Sequence, residues 1–302
     1  MSDVIEVRQL VKRYGPMAAV DGVSFSVAEG EVVGMLGPNG AGKTTTIEIL
    51  EGFRSATDGE VRVLGRDPAR GGRRLKSQVG VVLQSAGIDG SLTVAETVGL
   101  YAGFYRRRRP VTEVIAEVAL EECAVRRVAT LSGGQRRRLD LALALAANPR
   151  VLFLDEPTTG LDPAARRRTW DVIAGLRQEG VAVLLTSHYL DEVQRLADRV
   201  VVLHLGRVVA EGPPDRIGGR TEPASRITFR HTSSQELPPG PWVRLATADA
   251  AAVVLATEDP TEAMHALTSW AVAHGIELAG LELHRPSLED RYLELTEESR
   301  EP

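Results

Sequence analysis

A glycine-rich segment that ends in a lysine is the first part of the sequence with a recognisable chemistry. Gly37-Pro38-Asn39-Gly40-Ala41-Gly42-Lys43-Thr44 fits the pattern G-x-x-x-x-G-K-[ST]. Glycines allow successive backbone N–H groups to turn inward toward phosphate oxygens, and a helix that starts here adds the positive end of its dipole. Lys43 can reach the β- and γ-phosphates of a nucleotide, and the Thr44 hydroxyl can bind Mg²⁺. We therefore predict a nucleotide site that extends to Thr45.

Two consecutive carboxylates follow an apolar run further along the chain. The run 151–154 is followed directly by Asp155 and Glu156. Beside a phosphate-binding loop, Asp155 is placed to hold Mg²⁺, directly or through water. Glu156 would then point at the attacking water, where a carboxylate acts as a general base or orients the water for in-line attack. The two motifs together predict hydrolysis of a nucleoside triphosphate.

A second candidate anion site lies between these two motifs. Leu131-Ser132-Gly133-Gly134-Gln135 precedes a long helical pattern over 136–147. Ser132 is a favourable N-cap residue, and the two glycines leave backbone N–H groups open at the start of the helix. Such a helix N-terminus attracts phosphate oxygens.

These motifs need a scaffold of alternating strands and helices, which the first 210 residues provide. Almost continuous apolar runs indicate strands that are buried on both faces of a parallel sheet, at 32–36, 79–83, 151–155 and 181–186. Further strand candidates lie at 4–7, 23–27, 61–64 and 200–205. Helical patterns follow at 43–52, 163–178 and 189–197, so an α/β fold is predicted. The segment of about 90–147 is instead all-helical, with helices expected at 93–105, 111–123 and 133–147.

Charge, cysteine content and the lengths of apolar runs argue against several kinds of partner and location. The chain has 36 basic and 41 acidic residues, a net charge of −5, which argues against a nucleic-acid partner. Only three of the basic residues are lysines, so a lysine inside a motif is informative. Cys123 is the only cysteine and fits a reducing compartment. The first ten residues do not read as a signal peptide, and no apolar run is long enough to cross a membrane.

A change in charge separates the last part of the chain from the rest. Residues 1–220 hold 30 basic and 27 acidic residues, net +3, whereas residues 221–302 hold 6 and 14, net −8. We predict a main domain at 1–215 and a small accessory α+β domain at 221–302. Its elements are expected as strands near 226–230, 242–246, 251–256 and 276–283, a helix at 260–274 and a short helix from Ser287. A regulatory role, a dimer-stabilising role, a cap on a partner's sheet and a passive appendage all remain open for it.

With these three motifs in this order, the chain resembles the nucleotide-binding subunit of ABC (ATP-binding cassette) transporters over about residues 1–215. The resemblance implies a P-loop ABC ATPase core with a helical insertion, and ATP and Mg²⁺ as cofactors. It assigns catalytic roles to Lys43 and Glu156. Four more positions match the family's pattern, namely Tyr14 for stacking on adenine, Gln84 for Mg²⁺ or its water, Asp162 for contacts across a dimer and His188 for the γ-phosphate and the attacking water.

In this family the phosphate loop of one subunit faces the Ser-Gly-Gly segment of another. The resemblance therefore implies that Ser132, Gly133, Gly134 and Gln135 bind the ATP held by a second ATP-binding subunit. Because the chain carries a full set of motifs, a homodimer is sufficient, although a heterodimer remains open.

The resemblance also implies a membrane partner. The family docks its membrane subunit on the segment from Gln84 to about Tyr105, which places the chain on the cytoplasmic face of the cell membrane. The segments 136–142 and 286–296 are similar to the ATPases of ABC-2-type exporters, including the daunorubicin-resistance type. These work with a separately encoded permease and export drugs, antibiotics or lipids. Two alternatives remain, a soluble ABC ATPase acting on ribosomes or nucleic acid, and an importer ATPase.

Overall fold

The computed structural model describes residues 2–82, 87–187, 189–217, 225–231, 236–245, 251–284, 288 and 292. These residues divide into two compact units, one up to Pro214 and one from Asp215 onward.

The first unit alternates strands and helices. In chain order its elements are β1 (Asp3–Tyr14), β2 (Met17–Ala28), β3 (Val32–Leu36), α1 (Lys43–Leu50), β4 (Asp58–Val63), α2 (Gly72–Lys76), β5 (Val79–Val82), α3 (Val94–Gly103), α4 (Val111–Glu117), α5 (Gly133–Leu145), β6 (Val151–Asp155), α6 (Pro163–Gln178), β7 (Ala182–Thr186), α7 (Leu190–Leu196), β8 (Arg199–His204) and β9 (Arg207–Gly212). Two short 3₁₀ turns, Glu121–Cys123 and Val128–Thr130, lie between α4 and α5.

A six-stranded sheet carries the site-bearing loops. Its strand order is β5-β6-β7-β3-β8-β9, with β9 antiparallel to β8 and all other neighbours parallel. Strands β3 and β7 are buried along their whole length, as the continuous apolar runs predict. The carboxyl ends of parallel strands lie at one edge of a sheet, so the loops after β3, β6 and β7 are brought together there.

A three-stranded antiparallel sheet of order β2-β1-β4 packs over one face of the six-stranded sheet. Here the strands expected at 4–7 and 23–27 extend much further, because β1 and β2 pair as a long hairpin from Asp3↔Ala28 to Tyr14↔Met17. Pairing with a neighbouring strand satisfies the backbone N–H and C=O groups of these segments. The local sequence pattern does not show this pairing, because polar residues interrupt the apolar runs. The shared core contains Ile5 and Leu10 from this sheet and Phe153 and Leu184 from the larger one.

The helical segment follows the sequence prediction with one difference. Helix α3 begins at a capping box in which Glu96 N donates to the Thr93 hydroxyl, and the Glu96 carboxylate accepts from Thr93 N. Helix α4 ends at Glu117, several residues before the expected 123, because Ala119 adopts a left-handed conformation with φ +51°. Arg138 donates to the carbonyls of Val118 and Ala119 at 3.1 and 2.5 Å and stabilises this early end.

The second unit is a small α+β structure. Its elements are β10 (Ser225–Arg230), β11 (Val243–Leu245), β12 (Ala252–Thr257), α8 (Pro260–His274) and β13 (Ala279–His284). The strands form an antiparallel sheet of order β11-β12-β10-β13, with a core that includes Phe229, Leu255 and Leu267. The last strand starts at Ala279 rather than 276, and the short helix expected from Ser287 falls mostly on residues that the structure does not describe.

Candidate nucleotide-binding site

The phosphate-binding loop connects the buried strand β3 to helix α1, as its motif requires. Two of its glycines are enforced by close backbone approaches. A Cβ on Gly42, which has φ +101°, would lie 2.5 Å from the carbonyl oxygen of Ala19. A Cβ on Gly37 would lie 2.4 Å from the carbonyl oxygen of Leu203. The loop can therefore curl only with glycine at these positions.

Lys43 is held inside the loop. Its ammonium donates to the carbonyl oxygens of Gly37 at 2.5 Å and Pro38 at 3.1 Å. Burial lowers the pKa of Lys43 because it removes the ammonium from water, and the negative charges of Glu156 and Asp155 oppose that effect. The amine is thus a buried cation that faces two carboxylates across the loop.

A cleft of about 520 Å³ brings most of the predicted site residues together. Its lining consists of Tyr14, Met17, Ala18, Ala19, Asn39, Gly40, Ala41, Gly42, Lys43, Thr44, Thr45, Asp155, Glu156 and Leu205. Gly37 and Pro38 do not line it and contribute through their contacts with Lys43. Thr44 is exposed and lines the cleft, so its hydroxyl is available to a ligand.

The two carboxylates are fixed by the end of the neighbouring strand β7. The Thr186 hydroxyl donates to Asp155 Oδ1 at 2.6 Å. The backbone N–H of Glu156 donates to the carbonyl and the hydroxyl oxygens of Thr186 at 3.2 and 3.1 Å. Glu156 itself has φ +50°, a left-handed conformation that is unusual for a residue with a side chain. Strain of this kind is concentrated at functional sites, where the surrounding structure maintains it.

The Ser-Gly-Gly segment lies outside this cleft. Ser132 is the N-cap of α5, where the N–H of Gln135 donates to its hydroxyl and its own N–H donates to the Gln135 side chain. Ser132 and Gly133 are exposed, and a Cβ on Gly133 would meet no atom within 4 Å. The first turn of α5 thus presents its N–H groups to whatever approaches from outside the chain.

Other predicted residues have mixed outcomes. Tyr14 ends β1 with an exposed ring, and Lys12 Nζ and Arg54 Cζ lie 5.3 and 5.7 Å from the ring centre. Asp162 caps helix α6 by accepting from the N–H groups of Ala164 and Ala165, each at 2.9 Å. The hydrogen bond from the Ala165 N–H, more than that from Ala164, holds the pKa of the Asp162 carboxyl below its ordinary value, because it stabilises the charged form. Gln84 and His188 lie outside the described residues, and their roles stay predictions.

Two residues that contact the site, Thr186 and Arg137, were not predicted from the sequence. Thr186 ends a buried apolar strand, and a polar residue at that place is a signal that could have been used. Arg137 donates to three backbone carbonyls around Glu156, but it is one of three consecutive arginines and nothing in the sequence distinguishes it.

The fold and the cleft define a P-loop nucleotide-binding protein. Residues 20–159 match the family described as ABC transporter, and residues 225–287 match one described as ABC transporter domain-containing protein-like, C-terminal domain. The daunorubicin resistance ATP-binding protein DrrA2 of Streptomyces coeruleorubidus is 37% identical over 309 residues, 97% of this chain and 94% of that protein. The Nod factor export ATP-binding protein I of Paraburkholderia xenovorans (strain LB400) is 42% identical over 218 residues, covering 70% and 72%.

Solved structures agree with this placement. A dimeric post-hydrolysis state of the ATP-binding cassette MJ0796, bound to ADP and Pi, superimposes with a TM-score of 0.62 at 26% identity over 69% of this chain and 98% of that one. The chain belongs to the ABC transporter ATP-binding proteins, in the exporter subfamily of the two relatives above. It is an ABC ATPase, and the predicted family and fold class are confirmed. No helix within the described ranges is long and apolar enough to span a membrane.

Proposed function

We propose that this chain hydrolyses Mg²⁺-ATP in the cleft of the phosphate-binding loop and so drives a separately encoded membrane permease. The observation that carries the proposal is the presence of Lys43, Thr44, Asp155 and Glu156 in the lining of one cleft. A buried cation, a hydroxyl and two carboxylates are the groups that phosphoryl transfer to water requires.

The residues of the cleft fit a magnesium ion. The exposed Thr44 hydroxyl and the Asp155 carboxylate are both oxygen ligands of the kind that Mg²⁺ prefers, and both line the same cleft. These residues would hold the ion, which would supply positive charge to offset the negative charge of the phosphates. The Thr186 hydroxyl donates to Asp155 Oδ1 and so fixes the orientation of this carboxylate before a ligand binds. Gln84 belongs to the same predicted ligand set.

Each residue of the proposed site then has a defined role. The N–H groups of the loop and the Lys43 ammonium bind the phosphates and offset the charge that develops during transfer. Glu156 accepts a hydrogen bond from the attacking water and orients it toward the γ-phosphorus. Thr159, whose hydroxyl donates to Glu156 Oε2 at 3.1 Å, limits the orientations of that carboxylate. His188 contributes a contact to the γ-phosphate, and Tyr14 stacks on the adenine.

We also propose that the complete site needs a second ATP-binding subunit. Ser132, Gly133, Gly134 and Gln135 do not line the cleft of their own chain, yet they form an N–H-rich helix start suited to phosphate. ATP held by one chain would be covered by this segment of the other, and Asp162 would contact the partner nearby. A solved relative, MJ0796, forms a dimer bound to ADP and Pi, which supports this arrangement.

A second cleft supports a permease partner. About 220 Å³ in volume, it lies between the sheet core and the helical segment, and its lining includes Leu50, Glu51, Phe53, Tyr101 and Tyr105. Phe53 is 60% exposed, so an apolar side chain borders the cleft at the surface. We propose that an ABC-2-type permease docks here and holds the chain at the cytoplasmic face of the membrane.

The relatives favour export over the other two alternatives. Their names describe daunorubicin resistance and Nod factor export, and neither names import, ribosomes or nucleic acid. For this chain we propose export of a drug, an antibiotic or a lipid. Expression with the membrane protein encoded beside it, followed by fractionation, tests this point. Co-sedimentation with that membrane protein is expected, whereas sedimentation with ribosomes contradicts the exporter proposal.

The catalytic assignment is tested by measuring ATP binding and hydrolysis in Glu156→Gln. We expect nearly unchanged ATP affinity and a turnover reduced at least ~100-fold, since the amide cannot act as a base. Glu122→Gln, at an exposed position on a 3₁₀ turn, is the matched control and should hydrolyse ATP at the original rate. Wild-type turnover in Glu156→Gln refutes the role given to this residue.

A further inference from the structure

Arg137 links the start of helix α5 to the turn that carries Glu156. Its guanidinium donates from Nη2 to the carbonyl oxygens of Asp155 at 2.7 Å and Glu156 at 2.8 Å, and from Nε to that of Pro157 at 3.1 Å. The side chain is only 10% exposed, so these bonds form largely out of water. Three carbonyls in a row on one planar guanidinium fix the path of the backbone through this turn.

The backbone of the turn at Glu156 has an unusual conformation that must be stabilised by its surroundings. Glu156 has φ +50°, its N–H donates to Thr186, and its carbonyl oxygen accepts from Arg137. Left-handed backbone at a residue with a side chain persists only where its surroundings over-determine it. The N–H of Glu156 is thus fixed by β7, and its C=O is fixed by α5.

We propose that Arg137 is a positioning residue for hydrolysis, which holds Glu156 in the orientation that reaches the attacking water. It lies two residues after Gln135, on the helix whose first turn would bind the ATP of the second subunit. The three bonds of Arg137 therefore connect that helix directly to the Glu156 turn of the same chain. The inference rests on the proposed catalytic role of Glu156.

The distances of the described contacts agree with a role for Arg137 in fixing the backbone of the Asp155–Pro157 turn. Its nearest described carboxylate, that of Asp140, lies 3.9 Å away, which is longer than each of the three carbonyl contacts. Among the described contacts of the guanidinium, the three bonds to the Asp155–Pro157 turn are shorter than the ion pair on its own helix.

Arg137→Lys is the variant that separates this role from a general effect on folding. Lysine keeps the charge and most of the stem, but one ammonium cannot serve three carbonyls in the same geometry. Arg136→Lys is the matched control, because Arg136 is the preceding residue of the same helix and contacts only the carbonyl of Val128, at 3.2 Å, among the bonds described. ATP turnover, KM for ATP and the melting temperature are measured on the full-length chain for both variants, for Arg137→Gln and for Glu156→Gln.

We expect kcat of Arg137→Lys to fall at least ~10-fold while KM for ATP stays within about twofold, since the phosphate loop is unaffected. The ATP-bound dimer should also persist longer than in the original protein. Unchanged kcat in Arg137→Lys, or a raised KM with kcat retained, overturns the inference. If Arg137→Lys keeps full kcat while Glu156→Gln is inactive, only the role of Arg137 fails. If Glu156→Gln itself keeps full kcat, the proposed function fails first.

Discussion

Glu51 offers a prediction whose size follows from the structure. The residue follows helix α1 and lines the cleft between the sheet core and the helical segment. Burial, followed by the negative charges of Asp155 and Glu48, raises the pKa of the Glu51 carboxyl from its ordinary value of 4.5 to about 8. At neutral pH the folded chain therefore holds a protonated carboxyl, whereas the unfolded chain holds an ionised one.

The sign of the effect follows from this difference. Above about pH 4.5 the Glu51 carboxyl ionises in the unfolded state, and this ionisation stabilises the unfolded state. In the folded state the same carboxyl stays protonated until the pH passes about 8, so the folded state loses stability relative to the unfolded state across this window. Each pH unit in this window costs about 1.4 kcal/mol, so the penalty grows by about 2–3 kcal/mol between roughly pH 5 and pH 8 after allowance for partial exposure. Glu51→Gln removes the ionisable group while keeping a shape close to that of the protonated carboxyl.

The assay is calorimetric unfolding at pH 5 and pH 8, in which the transition of the unit up to Pro214 is followed. We expect Glu51→Gln to gain stability relative to the original protein as the pH rises, by about 4–10 °C in melting temperature. Glu122→Gln is the control, because its side chain is exposed, and its difference from the original protein should be the same at both pH values. An equal effect of Glu51→Gln at pH 5 and pH 8 would show that the reasoning about burial is wrong.

Two further substitutions test other parts of the account. Trp170→Phe removes the indole N–H that donates at 2.9 Å to the fully buried Glu192, and we expect the free energy of unfolding in urea to fall by about 1–3 kcal/mol; no change would contradict a role for this bond. Lys43→Ala removes the cation of the phosphate loop, and affinity for ATP in a fluorescent-nucleotide titration should fall at least ~10-fold, about 1.4 kcal/mol. Unaltered affinity would count against the loop as the phosphate site.

The sequence was sufficient for the parts of the fold that depend on local pattern. The apolar runs of β3, β6 and β7 and the glycine loop carry their own signals, since burial on both faces and backbone curvature each restrict residue type. The same holds for the capping box of Ser132 and Gln135, whose spacing is visible in the sequence.

Contacts between distant segments could not be predicted in this way. The full length of β1 depends on pairing with β2 and β4, because its polar residues interrupt any local strand pattern. The early end of α4 depends on Ala119 in a left-handed conformation, which alanine does not signal. Arg137 and the turn at Glu156 are 19 residues apart, and only the folded structure distinguishes this arginine from its two neighbours.

We propose that two copies of this chain enclose ATP between the phosphate loop of one and the Ser132–Gln135 segment of the other. Molar mass in solution tests it most directly, by light scattering on Glu156→Gln with and without Mg²⁺-ATP. We expect the mass to rise from the 32.6 kDa of one chain to twice that value when ATP is added. A second change, Ser132→Arg, should prevent this rise while ATP still binds. A mass that does not respond to ATP, or that responds equally with Ser132→Arg, would contradict the account.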